Sequence, residues 1–137
     1  MTVDLDASPI DTEVHGLLLA IEHLNTYRTE LPSDPPLDDD GRVHPYCVFY
    51  PGRGKAFGDR LNQDTPTVST WTCRVLFVGG DDDRAQWALT KIRGALTGRL
   101  LSNGRRLKEV LDEVTTRTET NVTPSRTSGA ILYRLHL

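Results

Sequence analysis

Four short clusters hold the residue types able to do chemistry, and each can be compared with the spacing its chemistry needs. Gly52-Arg53-Gly54-Lys55 comes nearest to a phosphate loop. Such a loop is G-x-x-x-x-G-K-[ST] between a strand and a helix, where glycines let backbone N–H groups cradle phosphates and the hydroxyl holds a metal. Here Ala56 follows the lysine and the stretch joins two expected strands, so nucleotide hydrolysis is not indicated. Asp38-Asp39-Asp40-Gly41 offers three carboxylates without the spaced oxygen ligands of a calcium loop, and reads as a solvated turn. His15 and His23 lie eight apart, with Glu22 beside the second, whereas a helical metal pair uses positions i and i+4. Cys47 has His44 and His136 as candidate neighbours, but nothing marks it as an activated nucleophile. Cys47 and Cys73, the only cysteines, are expected to be buried reduced thiols. None of the serines lies in G-x-S-x-G. The expectation is a protein that is not an enzyme, with no catalytic residue, cofactor or metal.

The elements that must position these residues centre on residues 68–101. Residues 68–78 read as a strand. Trp71, Cys73, Val75 and Phe77 face one way and Thr70, Thr72 and Arg74 the other, with Leu76 and Val78 as apolar exceptions. Gly79-Gly80 is expected to end it in a tight positive-φ turn. Any of Asp81, Asp82 and Asp83 can cap the following helix, and Asp83 with Gln86 has capping-box spacing. The spacing predicts an apolar helical stripe of Ala85, Ala88, Leu89, Ile92, Ala95, Leu96 and Leu100.

Before this unit, residues 1–8 read as a loose arm, and Ser8-Pro9 as the start of a helix running to about residue 28, with Val14, Leu17, Leu18, Ile21 and Leu24 on its apolar stripe. Residues 31–42 form a Pro- and Asp-rich loop and 43–50 a strand. Residues 51–67 make a long excursion in which Arg53, Lys55 and Arg60 surround Phe57, a basic loop suited to touching a neighbouring chain or DNA. After a turn at 102–104, residues 105–114 are ambiguous between a helix and an irregular lead-in. A strand over about 114–120, a polar turn and a final apolar strand over 129–137 follow. The sum is one α+β domain over 1–137. It is expected to be a two-layer sandwich: a mainly antiparallel four-stranded sheet with two helices on one face and a long inter-strand loop.

The chain has 137 residues and a net charge of −3, from 16 basic and 19 acidic side chains, which gives no general attraction to nucleic acid or anionic membrane. No apolar run approaches the roughly 20 residues of a membrane span, and the acidic start lacks a basic-then-apolar leader pattern. A cytoplasmic protein, or one assembled there into something larger, is expected.

The order of elements resembles the tail terminator, or tail completion, proteins of long-tailed bacteriophages. The likeness covers about residues 10–137. It is carried by Leu17-Leu18-Leu19 in the first helix, the strand HPYCVFYPG before a long loop, and Val78-Gly79-Gly80 before a helix with Gln86-Trp87-Ala88-Leu89 and Ile92-Arg93. Gly104-Arg105-Arg106-Leu107 and a threonine-rich segment before the last strand complete it. The resemblance implies a structural virion protein of the tail and neck. Its copies would form a homo-hexameric ring that caps the head-proximal end of the tail tube, stops the tube protein from polymerising and gives the head connector or stopper a docking surface. Phage DNA would pass through the lumen without sequence recognition. On this reading Arg53, Lys55, Phe57 and Arg60 are the candidate interaction residues. The alternatives are another neck component, such as a connector stopper, or a small nucleic-acid or ligand-binding module using the sheet face opposite the helices with Arg74, Arg134 and the 51–67 loop.

Overall fold

The computed structural model describes residues 8–52, 55–56, 69–110 and 114–136. Its elements are α1 (Ser8–Leu19), β1 (Asn25–Arg28), β2 (Tyr46–Pro51), β3 (Lys55–Ala56), β4 (Ser69–Gly79), α2 (Asp82–Leu96), β5 (Lys108–Glu109), β6 (Arg117–Glu119) and β7 (Arg126–His136). The fold is α+β, with two helices and an open mixed sheet in the order β1-β2-β4-β7-β5. β3 also pairs with β4, and β6 with β7. Seven strands among the described residues replace the expected four, because short segments of the first helix, of the 51–67 loop and of the ambiguous 105–114 stretch join the sheet.

β4 is the axis of this sheet. Its alternation is as the sequence predicts: Trp71, Cys73, Val75 and Phe77 are buried on one face. They join Cys47 and Phe49 of β2 and Ile131, Tyr133 and Leu135 of β7 in a single cluster. Both helices enter that cluster, α1 through Val14 and Leu18 and α2 through Ala85, Ala88, Leu89, Ile92 and Leu96. Buried polar atoms in it are satisfied, as burial requires. The Trp71 indole N–H donates to Asp11 at 2.7 Å, and the Tyr133 hydroxyl meets Thr97 at 2.9 Å.

Leu76 and Val78 break the alternation for a reason on the other face. Val43, Tyr46, Val48 and Val78 form a second buried cluster there, flanked by Tyr27, Tyr50 and Leu76. β2 starts at Tyr46 and not at 43 as expected, and the residues before it belong to this cluster's cover: Val43 pairs with Leu37, and its carbonyl accepts the Gly80 N–H at 2.9 Å. Strand positions covered on both faces lose their polar alternation.

Several sequence expectations are corrected. α1 ends at Leu19 and not near residue 28. Asn25–Arg28 instead pairs in parallel with β2, from Asn25↔Tyr46 to Arg28↔Phe49. Leu24 is still buried, so the helical-looking stripe reflects burial there and not helix. Thr26 and Tyr27 suit a strand, and the edge of β2 offers them hydrogen bonds that a further helical turn would forgo. Gly79 and Gly80 do not have positive φ; only Gly41, Gly98 and Gly104 do among the described glycines. They serve close approach instead: a Cβ on Gly79 would lie 2.5 Å from the Ala85 nitrogen, and one on Gly80 2.7 Å from that of Val43. The N-cap is Asp81, whose carboxylate accepts the Arg84 N–H, so the Asp83–Gln86 capping box does not form. Leu100 is exposed and Leu101 takes the buried place. The ambiguous 105–114 stretch contains β5, and β7 starts three residues before the expected 129.

Pro51 ends β2 opposite Cys73. Gly52 follows it, where a Cβ would fall 1.5 Å from the Thr72 carbonyl oxygen. Gly94, by contrast, lies in α2 with nothing within 4 Å of its would-be Cβ. The same substitution therefore has opposite signs at the two sites. Gly52→Ala is expected to cost about 1–3 kcal/mol through overpacking, and Gly94→Ala to stabilise by about 0.5–1 kcal/mol through helix propensity. Urea unfolding of the two variants checks both.

Candidate functional site

The loop residues expected to make contacts lie mainly outside the described residues: Arg53, Phe57 and Arg60 are not among them. Lys55 is described in its backbone alone, where it pairs with Thr70. The described residues bring together three other features: a charged clamp, a sheet face and a groove.

The clamp gives the acidic 31–42 loop a role that its sequence did not suggest. Arg84, in the first turn of α2, reaches three carboxylates. Its Nε donates to Asp38 at 2.6 Å, Nη1 to Asp81 at 2.6 Å and Nη2 to Asp40 at 3.2 Å. Asp38 uses its other oxygen to accept the backbone N–H groups of Asp40 at 2.9 Å and Arg42 at 3.1 Å. Burial alone would raise the Asp38 pKa, but hydrogen bonds from Arg84, Arg42 and Asp40 and the Arg84 charge outweigh it and hold it below the ordinary value. Partners 44 and 46 residues apart carry no local sequence signal, so only the folded chain reveals this network.

The sheet face away from the helices carries the residues named for the binding-module alternative. Arg74 lies over the Tyr50 ring, 4.7 Å from its centroid, in cation–π geometry. Tyr27 meets Tyr46 edge-on. Arg74 is the cross-strand partner of Leu132, which is 43% exposed, and Thr72 that of Arg134. Thus Arg74 and Arg134 do share this face. Val48 and Tyr46 are buried, so its β1–β2 end is covered, whereas the β4–β7 part around Thr72, Arg74, Leu132 and Arg134 is exposed.

The groove lies at the opposite edge of the sheet. About 870 Å³ of space is lined by Thr97, Gly98, Leu107, Lys108, Glu109, Val110 and Arg134. Its helix-side wall is held by Arg93, which grips Glu109 through two bonds of 3.1 and 2.8 Å, and by Thr97, which donates to Glu109 at 3.1 Å. The Arg93 hydrogen bond holds the Glu109 carboxyl below its ordinary value against burial, with help from Thr97.

The candidate chemical residues are dispersed. Cys47 and Cys73 are both free and buried. Burial pushes the Cys47 thiol up to about 11, with the Thr26 hydroxyl acting the other way, and pushes Cys73 higher still. A thiol so raised holds little thiolate near neutral pH and is a poor nucleophile. His15 stacks on Phe49, while His44 Nε2 pairs with the His23 carbonyl oxygen at 2.7 Å. Burial, then the nearby Arg28, lowers the His15 pKa. Among the described residues no group of three or more His, Cys, Asp or Glu side chains is placed to hold a metal ion. Among them, too, no helix is long and apolar enough to cross a membrane. No protein-family model matches the chain, and no curated protein matches it.

Asp38 and Glu109 both have depressed pKa values, so each favours the fold when ionised. Their contribution is present above the ordinary carboxylate values of 3.8 and 4.5 and is lost as pH falls through their lower folded values. Wild-type Tm is therefore expected to fall on acidification through this window, and Asp38→Asn to show a smaller fall from a lower starting Tm. Thermal melts between about pH 2 and pH 5 check this; identical slopes would remove Asp38 from the account.

Proposed function

We propose that the chain is a ring-forming structural protein of the phage tail terminator type. Its copies close head to tail into a ring, sixfold as the resemblance implies, that caps the head-proximal end of a tail tube. The ring stops the tube protein from adding further and presents a surface to the head connector or stopper, while DNA passes through without sequence recognition. On this reading the chain works by binding and not by catalysis, in the neck of a virion. Its helices form one layer and its sheet the other.

The observation that carries the reading is the open sheet with two unlike edges, β1 on one side and the short β5 on the other. A cyclic ring needs a heterologous contact between two different patches of each subunit, and open edges supply backbone groups for such contacts. β1 turns the N–H groups of Asn25 and Thr29 to carbonyls at the β2 side, so the alternate residues Thr26 and Arg28 turn theirs outward. A second reading, a nucleic-acid module, is favoured by the Arg74–Tyr50 stack beside Arg134, since aromatic rings with arginines on a sheet can stack bases. The net charge of −3 weighs against it.

Negative-stain imaging of the protein, alone and with isolated tail tubes, tests the proposal. Sixfold rings or newly capped tubes are expected. Monomers that ignore tubes would overturn it, and DNA affinity falling steeply with salt would support the second reading. Replacing Arg53, Lys55, Phe57 and Arg60 together by Ala is expected to abolish capping while thermal unfolding stays cooperative. Intact capping would take the loop out of the interface.

A further inference from the structure

We propose that Asn103 is a self-modification site that the fold holds in check: when the turn around it opens, its side chain closes on the Gly104 nitrogen to a cyclic imide and is hydrolysed to an acid, which frees the C-terminal end of β7. Asn103-Gly104 is the only Asn-Gly pair in the chain. Glycine after asparagine leaves the attacking nitrogen unhindered, because it carries no Cβ. Both residues are exposed, so water and base reach them. The Gly104 nitrogen gives its proton to solvent base and attacks the Asn103 Cγ. A new C–N bond forms, the Cγ–Nδ2 bond breaks, and the amide leaves as ammonia. Water then opens the imide at either carbonyl. One product is aspartate; the other is isoaspartate, with the backbone rerouted through the side chain. No electrons are exchanged with an outside partner.

The folded turn keeps every reacting group engaged. The Gly104 N–H donates to the Leu101 carbonyl at 2.9 Å. The Asn103 Nδ2, the leaving group, donates to the His136 carbonyl at 3.3 Å, and Oδ1 accepts the Arg105 N–H at 2.9 Å. The turn is closed at both ends: the Leu101 N–H donates to the Arg105 carbonyl at 2.9 Å, and Leu100 bridges to Arg106. Leu101 and Leu107 anchor its two legs in the core. From α1, Glu13 accepts the Ser102 hydroxyl at 2.7 Å and the Ser102 N–H at 3.0 Å. Gly104 has φ +83°, a conformation that glycine adopts without strain. The residue that makes the pair labile is therefore the one the turn needs. The proton that must leave Gly104 is the one held by Leu101. As in amide hydrogen exchange, the reaction then follows the open population of the turn.

Conversion runs one way. An acid at position 103 replaces the Nδ2 donor by an oxygen, so two acceptors face each other at the His136 carbonyl. Isoaspartate also adds a carbon to the backbone of a turn whose ends are fixed. His136 ends β7 and pairs with Thr70 at the end of the β4–β7 ladder, which loses this tie to the turn.

Incubation of the full chain at mildly alkaline pH, with and without denaturing urea, tests the proposal. Peptide mapping by mass spectrometry of residues 100–105, with the aspartate and isoaspartate forms separated, follows the reaction. Conversion in urea is expected to be at least about tenfold faster than in the folded protein, the ratio that about 1.4 kcal/mol of turn stability gives. Equal rates in the two states overturn the proposal, and so does an intact Asn103 after incubation in urea. Hydrogen exchange of Asn103→Asp reads the consequence. Exchange over residues 132–136 is expected to quicken roughly two- to tenfold, as the loss of one hydrogen bond allows, while α2 exchanges as in wild type. Unchanged exchange at 132–136 overturns the release of β7.

Discussion

Ten successive residue pairs join β4 to β7, from Thr70↔His136 to Gly79↔Thr127, and the rest of the molecule is hung on this ladder. A ladder of that length has one register compatible with its side chains, because a slip by one residue would turn Trp71, Cys73, Val75 and Phe77 to the wrong face. With the register set, β2 and β3 find their places on one side of β4, and β5 and β6 on the far side of β7. Both helices then bury their stripes over the same odd-numbered residues. The glycine at position 52 follows from the same constraint, since the chain leaving β2 passes within contact distance of the Thr72 carbonyl.

The ladder leaves an apolar problem at its other face, where Leu76 and Val78 would meet water. The solution comes from a part of the chain that reads as plain loop. Val43 packs over Tyr46 and Val78, and Arg84 fastens the loop behind it to the first turn of α2 through Asp38 and Asp40. One guanidinium thus joins a helix cap to a loop cover. Charge-assisted bonds with this fork geometry give direction as well as attraction. An Asp81 carboxylate shared between the Arg84 backbone N–H and its side chain ties the cap to the clamp.

The same asymmetry leaves the surfaces on which the proposed function depends. One end of the helix-free face is closed by the loop, while its β4–β7 end keeps arginines, a threonine and Leu132 toward solvent. The sheet's two edges differ as well: β1 ends in a backbone held by β2, and β5 is a two-residue strand beside a groove, with Lys108 opposite Arg134. In the proposed ring, two such unlike edges would serve as the two different patches that a head-to-tail contact requires.

Much of this was legible before the fold was known. The alternation of residues 68–78, the stripe of the helix after them and the apolar last strand come from local periodicity, which depends on each segment's own residues. An α+β class follows from those elements. Arg74 and Arg134 could be placed on one face for the same reason. Other features had no local signal. Asn25–Arg28 became a strand because an edge of β2 was available, although a helical stripe leads up to it and ends at Leu24. The acidic loop became a clamp because Arg84 arrives from 46 residues away. Gly79 and Gly80 are needed for contact with Ala85 and Val43 and not for a turn. The sequence by itself determined which faces are apolar, where the central strand and helix lie and how their charges are distributed. Only the tertiary structure decided which edges pair, which carboxylates share a guanidinium and which cations stand opposed, because those depend on distances between segments that no periodicity encodes.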